Sequence, residues 1–312
     1  LFEPIYLWQH GYHVVAIMWY YMLVYGLYFF LAPVGGKIVS RFGAARSIAA
    51  STVFLAAYYG ALLLIPFGAA WVWVAPVMFA IQKMLYWTAY HVDFLENSDP
   101  KEQAKEYSAL WSLSTAVAVA GPIIGGVVAA VFGFPILFYG AIILILLSSI
   151  PLFIVEKKHI PIPYAIRKNM MNMFRAEHIH QLLGFLGLGE ELILLTVWPL
   201  FLALSFKSYE TFGTAVAAAT LITALCTLAL GEYLDHHQPR IPLRCARAGT
   251  VIIWLTRPFL HAFKIVFLSD TSGRLVNNAS FGSLSCLVYH PDRSNWGYHR
   301  RWVLFRQDFI DA

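Results

Sequence analysis

Long runs of apolar residues, separated by short polar segments, make up most of this chain. A helix of about twenty apolar residues crosses the roughly 30 Å hydrocarbon core of a bilayer, at about 1.5 Å per residue. The pattern therefore predicts an all-α, polytopic membrane protein. We expect eight membrane-spanning helices, at residues 14–32, 47–67, 71–92, 109–132, 136–155, 180–206, 211–230 and 248–268.

The ends of the sequence fit this pattern less well. Residues 1–8 are expected to be the end of a helix that begins upstream, and residues 277–289 are weakly apolar and are expected to begin another helix. Residues 291–312 are crowded with charged and histidine residues. We interpret them as an off-pattern polar tail, either a truncated end or the product of a shifted reading frame.

The longest polar link lies near the middle of the chain, at residues 156–178. It predicts a division into two helical halves joined by a linker. The N-terminal half, at 1–155, is expected to contain the end of the first helix and helices 2 to 6. The partial C-terminal half, at 179–290, is expected to contain helices 7 to 9 or 10.

Composition supports the membrane interpretation. Of the 312 residues, 59% are hydrophobic and 12% are charged, whereas an average soluble domain carries about 25% charged residues. The net charge of +5 does not point to nucleic acid, because the basic residues lie between the apolar runs. The three cysteines are far apart and have no ligand spacing, so neither a disulfide framework, nor a metal site, nor a cofactor is predicted.

Basic residues are concentrated in alternate loops. With residues 1–8 counted as the first helix, the loops after helices 2, 4, 6 and 8 contain thirteen Lys and Arg residues, and the other loops contain only Lys207. This bias predicts that the thirteen are cytoplasmic, in a multi-pass protein of the plasma (inner) membrane. They are Lys37, Arg41, Arg46, Lys101, Lys105, Lys157, Lys158, Arg167, Lys168, Arg175, Arg240, Arg244 and Arg247.

A short glycine-containing motif occurs twice. The first copy follows the second helix, in a predicted basic loop at 32–47 that begins where Pro33 and Gly35-Gly36 are expected to end the helix. The second copy follows the eighth helix, 195 positions later. Two parallel halves joined by a long cytoplasmic link are one common plan of transporters. The copies consist of Gly36, Ser40, Arg41, Gly43 and Arg46, and of Gly231 and Asp235.

These residues resemble the motif of the major facilitator superfamily, G-x-x-x-D-R-x-G-basic, which lies between helices 2 and 3 and recurs in degenerate form between helices 8 and 9. In the first copy Ser40 replaces the acidic residue. In the second copy the R-x-G part is missing. The resemblance covers about residues 1–275.

The predicted fifth helix carries a second resemblance. Its sequence Gly121-Pro122-x-x-Gly125-Gly126 is similar to a motif of the antiporter branch of that superfamily, although Val117 stands where the motif has glycine. Glycine followed by proline predicts a bend in the helix, which suits a gate. Close packing against a neighbouring helix is the alternative.

The resemblance implies a bundle of two pseudo-repeated halves and twelve helices, of which this chain would be a fragment lacking most of helix 1 and helices 11 and 12. It implies a monomer that works as a secondary active transporter by alternating access, and no enzyme activity. The first motif copy is then expected to latch the outward-facing state. The serine at position 40 would weaken that latch.

Charged residues within the predicted spans are candidates for contact with a solute, because each costs roughly 2.5–3.5 kcal/mol at bilayer depth. By resemblance, helices 4 and 7 line the central cavity. Lys83 and either Glu190 or Glu191 are therefore expected to meet a small solute, or each other. A buried carboxyl group also suits proton coupling. A structural ion pair is the alternative, and Arg257 is expected to be structural.

Two other functions fit parts of the sequence. An intramembrane lipid-modifying enzyme would need a polar cluster at the cytoplasmic interface, and His91 with Asp93 is the candidate. A transporter fragment without activity is the third hypothesis. The expected partners are a small solute, a proton and the lipid bilayer.

Overall fold

In a computed structural model, the described residues are 1–97, 103–154, 165–166, 171, 190–206, 208–236, 240–256 and 271–274. Their regular structure is helical, and no strand occurs among them. A short 3-10 turn, Ile65–Phe67, continues the third helix. The helices are α1 (Glu3–Gln9), α2 (Val14–Phe42), α3 (Ala44–Leu64), α4 (Trp71–Asn97), α5 (Gln103–Val131), α6 (Gly133–Ser148), α7 (Ile150–Ile154), α8 (Glu190–Ser205), α9 (Tyr209–His236) and α10 (Arg240–Thr256).

Five helical segments within the described residues are long and apolar enough to cross a membrane: Val14–Phe42, Ala44–Phe67, Leu113–Val131, Gly133–Leu152 and Tyr209–Cys226. Each corresponds to one of the eight predicted spans, so the prediction of an all-helical fold is confirmed for the described residues, and the five apolar helices support the membrane interpretation. The fourth helix has 27 residues but contains tryptophan, tyrosine, glutamine and lysine, which lower its hydropathy. The predicted spans at 180–206 and 248–268 extend beyond the described residues. The count of eight and the pseudo-repeat stay predictions.

The expected end of the second helix at Pro33 is wrong. Helix α2 continues through Pro33 and both glycines to Phe42. Proline removes one helical hydrogen bond, to the carbonyl of Phe29, and favours a kink. The helix is nevertheless continuous because its other turns are intact and Gly35 and Gly36 are buried by packing. The local propensity of proline and glycine is outweighed here by tertiary contact.

The predicted basic loop at 32–47 is therefore reduced to a single turn residue. Gly43 has φ 89° and ψ 161°, a conformation that L side chains rarely adopt. Its N–H donates to the Val39 carbonyl at 2.8 Å, and its own carbonyl accepts from the Ser47 hydroxyl at 2.8 Å. Helix α3 begins at the next residue, Ala44.

The chain divides into two compact units. In the first unit, residues 1–100 and 128–204, α4 packs against both α2 and α3, and α6 packs against α3. Helix α1 is fixed to α3, because the Tyr6 hydroxyl donates to the Leu62 carbonyl at 3.0 Å. Tyr58 and Leu62 of α3 are fully buried in this core.

The second unit consists of residues 101–127 and 205–312. Its described part contains most of α5 together with α9 and α10. The predicted linker at 156–178 lies outside the described residues apart from 165, 166 and 171, and so does the tail at 291–312. The predicted domain boundaries stay predictions.

Candidate functional site

Lys83 projects from α4 against two aromatic rings. Its Nζ lies 4.5 Å from the ring centroid of Phe79, one turn earlier on α4, and 5.0 Å from that of Tyr25 on α2. A cation above aromatic faces gains about 0.5–1 kcal/mol at exposed sites and about 2 kcal/mol when desolvated. Lys83 is half-buried. The side chain therefore joins α4 to α2 through a cation–π pair of contacts.

The predicted span at 71–92 contains Lys83, and its depth there follows from its distance along α4. At a rise of 1.5 Å per residue, it lies about 18 Å from Trp71, where α4 begins. The hydrocarbon core is roughly 30 Å thick. If Trp71 lies at the interface, where tryptophan is enriched, Lys83 is near the middle of the bilayer.

The side chains of the other charged residues predicted to line the cavity lie outside the described part of the chain. Glu190 and Glu191 form the first turn of α8, but their side chains lie outside the described ones, and Arg257 lies outside the described residues. The meeting of Lys83 with one of these glutamates stays a prediction.

The first motif copy has its basic side chains on the surface. Lys37, Arg41 and Arg46 are exposed, and the Arg41 guanidinium lies 5.3 Å from the ring centroid of Phe42. Beneath the turn, Val39 and Ala44 are buried. Exposed cations around a buried apolar contact are what a turn at a membrane surface needs. The latch role stays a prediction.

Two residues of this copy act differently from their expected roles. The Ser40 hydroxyl donates to the Lys37 carbonyl at 2.9 Å, a bond that an ionised aspartate could not make. Gly36 is buried inside α2 and does not form the turn. The turn conformation belongs to Gly43 alone.

Gly35, which was expected only to help end the helix, is a close-contact residue. A Cβ placed on it would lie 2.7 Å from the Met84 carbonyl oxygen and 2.8 Å from Met84 Cγ. Real Cβ atoms do not approach so closely, so only glycine lets α2 meet α4 at this spacing. Met84 is next to Lys83 in sequence. The sequence signal for this contact was the glycine pair itself.

The glycines of the predicted gating helix belong to a close crossing of α5 and α9 in the second unit. A Cβ on Gly126 would lie 2.5 Å from the Tyr209 carbonyl oxygen and 3.3 Å from Gly213 Cα. A Cβ on Gly213 would collide with the Pro122 carbonyl oxygen. Gly125 is buried, while Gly121 has no neighbour for a Cβ within 4 Å. The geometry favours close packing at this crossing, and the gating role stays a prediction.

The second motif copy lies within a helix and not in a loop. The expected helix end at residue 230 is wrong, because α9 continues through Gly231 and Asp235 to His236. Helix α10 begins at Arg240, earlier than the expected residue 248. The side chains of this copy lie outside the described ones. Both copies thus begin in the last turns of a long helix, and the first continues through Gly43 into α3.

A buried polar cluster near the start of the chain was missed by the sequence analysis. The Glu3 carboxylate accepts two phenol hydrogen bonds, from Tyr21 to Oε2 at 3.2 Å and from Tyr59 to Oε1 at 3.0 Å. Tyr20 and Tyr58 lie beside it and are 5% and 0% exposed. In the sequence, the cluster is indicated only by two Tyr-Tyr pairs within apolar runs, and such pairs are also typical of ordinary aromatic packing.

This cluster, Glu3 with Tyr20, Tyr21, Tyr58 and Tyr59, is called the Glu3–tyrosine cluster below. It is connected to Lys83 through one aromatic stack. Tyr58 stacks on Phe79 with ring centroids 4.4 Å apart and planes 10° from parallel. Phe79 in turn contacts the Lys83 ammonium group. Because Glu3 bonds to Tyr59, whose ring centroid lies 5.2 Å from that of Tyr58, an acidic and a basic group of the first unit are linked through three rings.

No protein-family model matches this chain, and no curated protein matches it.

Proposed function

We propose that this chain is a secondary transporter that moves a small solute with an anionic group across the plasma membrane by alternating access. The observation that carries the proposal is the Lys83 ammonium group between rings of α2 and α4, which would be near mid-depth with α4 across the bilayer. Charged residues at this depth are costly, and they usually face a cavity, a partner or a substrate pathway.

The chemistry around Lys83 suits a carboxylate or a similar anion. An ammonium group has three donors that a carboxylate oxygen accepts. Aromatic faces such as Phe79 and Tyr25 hold the cation by their quadrupole, and their contacts are weaker than a desolvated ion pair. In this proposal a carboxylate of the solute adds a charge-assisted hydrogen bond to the ammonium group.

The two motif copies provide independent support for the plan of the bundle. Each copy begins in the last turns of a long helix, α2 or α9, and another helix begins within a few residues of the end of that helix. Similar placement of similar residues is expected of parallel repeats. In this proposal the exposed basic turn at Arg41 and Arg46 faces the cytoplasm, and so does the end of α9.

The crossing of α5 and α9 also suits alternating access. Helix α5 belongs to the predicted N-terminal half and α9 to the predicted C-terminal half. At Gly126 and Gly213 the backbones meet with no side chain between them. Such a contact permits one helix to slide on the other without repacking of interdigitated side chains. We propose this crossing as a pivot between the halves, with the chain acting as a monomer.

Reconstitution of the full chain tests the proposal. Proteoliposomes containing a pH-sensitive dye are given inward gradients of sodium lactate, gluconate and glutamate, and internal acidification is recorded together with uptake of each labelled anion. Uptake of at least one anion, lost on Lys83→Gln and kept on Lys37→Gln, supports transport. Lys37 is the matched control because it is an exposed lysine of α2. Equal uptake by Lys83→Gln and wild type would contradict the role of Lys83.

The two alternatives remain distinguishable from this proposal. A lipid-modifying enzyme would rely on His91 and Asp93; Asp93 is half-buried near the end of α4, and the His91 side chain lies outside the described ones. Turnover of a lipid substrate, abolished by His91→Ala, would favour the enzyme. A fragment without activity would leave wild type and Lys83→Gln proteoliposomes equally impermeable to all three anions.

A further inference from the structure

The hydrogen bonds of the Glu3–tyrosine cluster do not use all its polar atoms. Each Glu3 oxygen accepts one bond, from Tyr21 or from Tyr59. The hydroxyls of Tyr20 and Tyr58 are buried and interact with each other, and among the described residues neither has a further hydrogen-bond partner. Buried polar atoms are nearly always hydrogen-bonded, so two such hydroxyls side by side require an explanation.

The cluster lies along the predicted membrane-spanning helices α2 and α3, where polar groups are costly. Tyr21 lies about 10 Å along α2 from Val14, and Tyr59 lies about 8 Å along α3 from Leu64, at 1.5 Å per residue. The cluster is therefore below the ends of both helices, within the depth of the bilayer. Glu3 is partly exposed, whereas Tyr20 and Tyr58 are buried behind it.

We propose that the Glu3–tyrosine cluster is a proton-binding site, in which Glu3 takes up a proton from solvent and a phenol oxygen of Tyr21 or Tyr59 accepts the hydrogen bond of the resulting acid. In the ionised state the carboxylate accepts from Tyr21 and Tyr59. When a proton binds, the carboxyl O–H needs an acceptor. One phenol rotates its hydroxyl away from Glu3, accepts from the acid, and donates to the oxygen of Tyr20 or Tyr58. No other bond forms or breaks.

Phenols are suited to both states because each hydroxyl donates one hydrogen bond and accepts two. A lysine or arginine beside Glu3 could only donate and would favour the ionised form alone. Among the described residues, the titratable groups that face Glu3 are tyrosines. Helix α2 presents Tyr20 and Tyr21, α3 presents Tyr58 and Tyr59, and α6 presents the apolar rings of Phe134 and Phe138 toward Tyr6 and Tyr59.

The consequence for mechanism rests on the proposed function. In a transporter with Lys83 as the anion site, a proton on Glu3 would compensate the charge of the solute. The two sites are separated by the Tyr58–Phe79 stack. We therefore assign proton coupling to Glu3, in addition to the glutamates of α8 that the sequence suggests.

Proton binding is tested without any transport. Infrared difference spectra of the full chain in lipid nanodiscs are recorded between high and low pH, and the protonated carboxyl C=O band is followed. A band that is present in wild type and lost in Glu3→Gln is the expected result. Tyr59→Phe is expected to shift this band, because it removes one hydrogen bond to the carboxyl group. Tyr139→Phe, an exposed tyrosine of α6, is the matched control and leaves the band unchanged.

Identical difference spectra of wild type and Glu3→Gln would overturn the proposal. If Glu3→Gln fails to give a monodisperse protein, Tyr59→Phe decides instead, and an unshifted band would overturn it. A Glu3 band together with no anion uptake would refute the transport function while the proton site remains. Uptake without a Glu3 band would refute the proton site alone.

Discussion

Tyr58 of α3 and Lys83 of α4 contact the same side chain, the ring of Phe79. The phenol ring stacks on Phe79 at 4.4 Å between centroids, and the ammonium group lies 4.5 Å from its centroid. Phe79 therefore fixes a cation and a buried phenol in one arrangement. The Phe79 ring packs against Tyr58 and attracts the Lys83 ammonium group, and substitution of Phe79 by an aliphatic residue removes the second interaction.

Phe79→Leu tests this ring, because leucine keeps an apolar side chain and removes the π-system. We expect the free energy of unfolding to fall by about 1–2 kcal/mol, from the lost stacking and cation–π contacts. Unfolding by sodium dodecyl sulfate in mixed micelles, followed by tryptophan fluorescence, measures the change. Phe67→Leu is the control, because Phe67 is 83% exposed. Equal losses in the two variants would contradict a special role for Phe79.

Gly35→Ala is expected to separate α2 from α4. The new methyl group would meet the Met84 carbonyl oxygen at 2.7 Å, so one helix must shift. Overpacking of this kind costs about 1–3 kcal/mol of the unfolding free energy. Gly26→Ala is a matched control on the same helix, since its Cβ would have no neighbour within 4 Å. We expect that variant to be neutral or stabilised by up to about 1 kcal/mol.

The same unfolding measurement shows whether Gly35→Ala is less stable than Gly26→Ala or equally stable. A Gly35→Ala protein as stable as Gly26→Ala would contradict a close contact between α2 and α4 at Gly35. If the contact is close, Gly35→Ala also disturbs Met84 and hence its neighbour Lys83, and anion uptake falls with the stability.

Gly126→Ala and Gly213→Ala are expected to disrupt the α5–α9 crossing. Each methyl group would collide with a backbone carbonyl oxygen of the other helix, of Tyr209 or of Pro122. A carbonyl cannot rotate away as a side chain can, so a loss of about 2 kcal/mol or more is expected for each. Gly121→Ala, on the same helix as Gly126, meets nothing within 4 Å and is the control.

Measured flux adds a second test to that series. If the crossing is a pivot, Gly126→Ala proteins that still fold transport anions more slowly at unchanged solute affinity. A variant with full flux and reduced stability would make the crossing a packing contact only.

The orientation of α2 is tested by cysteine labelling. Cys226, Cys245 and Cys286 are first replaced by serine, and single cysteines are introduced as His13→Cys and Phe42→Cys, both at exposed positions flanking or ending α2. A membrane-impermeant maleimide applied to right-side-out vesicles is expected to label the first and not the second. Labelling of Phe42→Cys from outside would invert the topology.

The apolar pattern alone located much of the fold. The predicted span at 47–67 corresponds to α3 and its 3-10 extension, which end at Phe67. The predicted spans at 109–132 and 136–155 are separated by a turn, where Gly133 has φ 80°. These features follow from local rules, since a long apolar run needs a helix and a positive φ favours glycine. Close packing of the fifth helix was one of two stated alternatives, but α9 as its partner was not predicted.

The remaining features depend on contacts between distant segments. Pro33 and Gly35 are typical of a helix end, yet α2 passes through both because Gly35 packs against Met84 of α4. Glu3 accepts hydrogen bonds from residues 18 and 56 positions away. No local pattern contains such separations, so the Glu3–tyrosine cluster could not be predicted from periodicity or spacing.

Helix α2 is longer than the membrane is thick. Its 29 residues extend over about 44 Å, and the hydrocarbon core is roughly 30 Å across. Standing upright from Val14, the helix would emerge by about 14 Å, with Lys37 and Arg41 on the emergent part. If α2 tilted about its midpoint in the bilayer, its C-terminal tip would move roughly twice as far as the point at which it leaves the hydrocarbon core. Because Gly43 is the only residue between α2 and α3, α3 would move together with the C-terminal tip of α2.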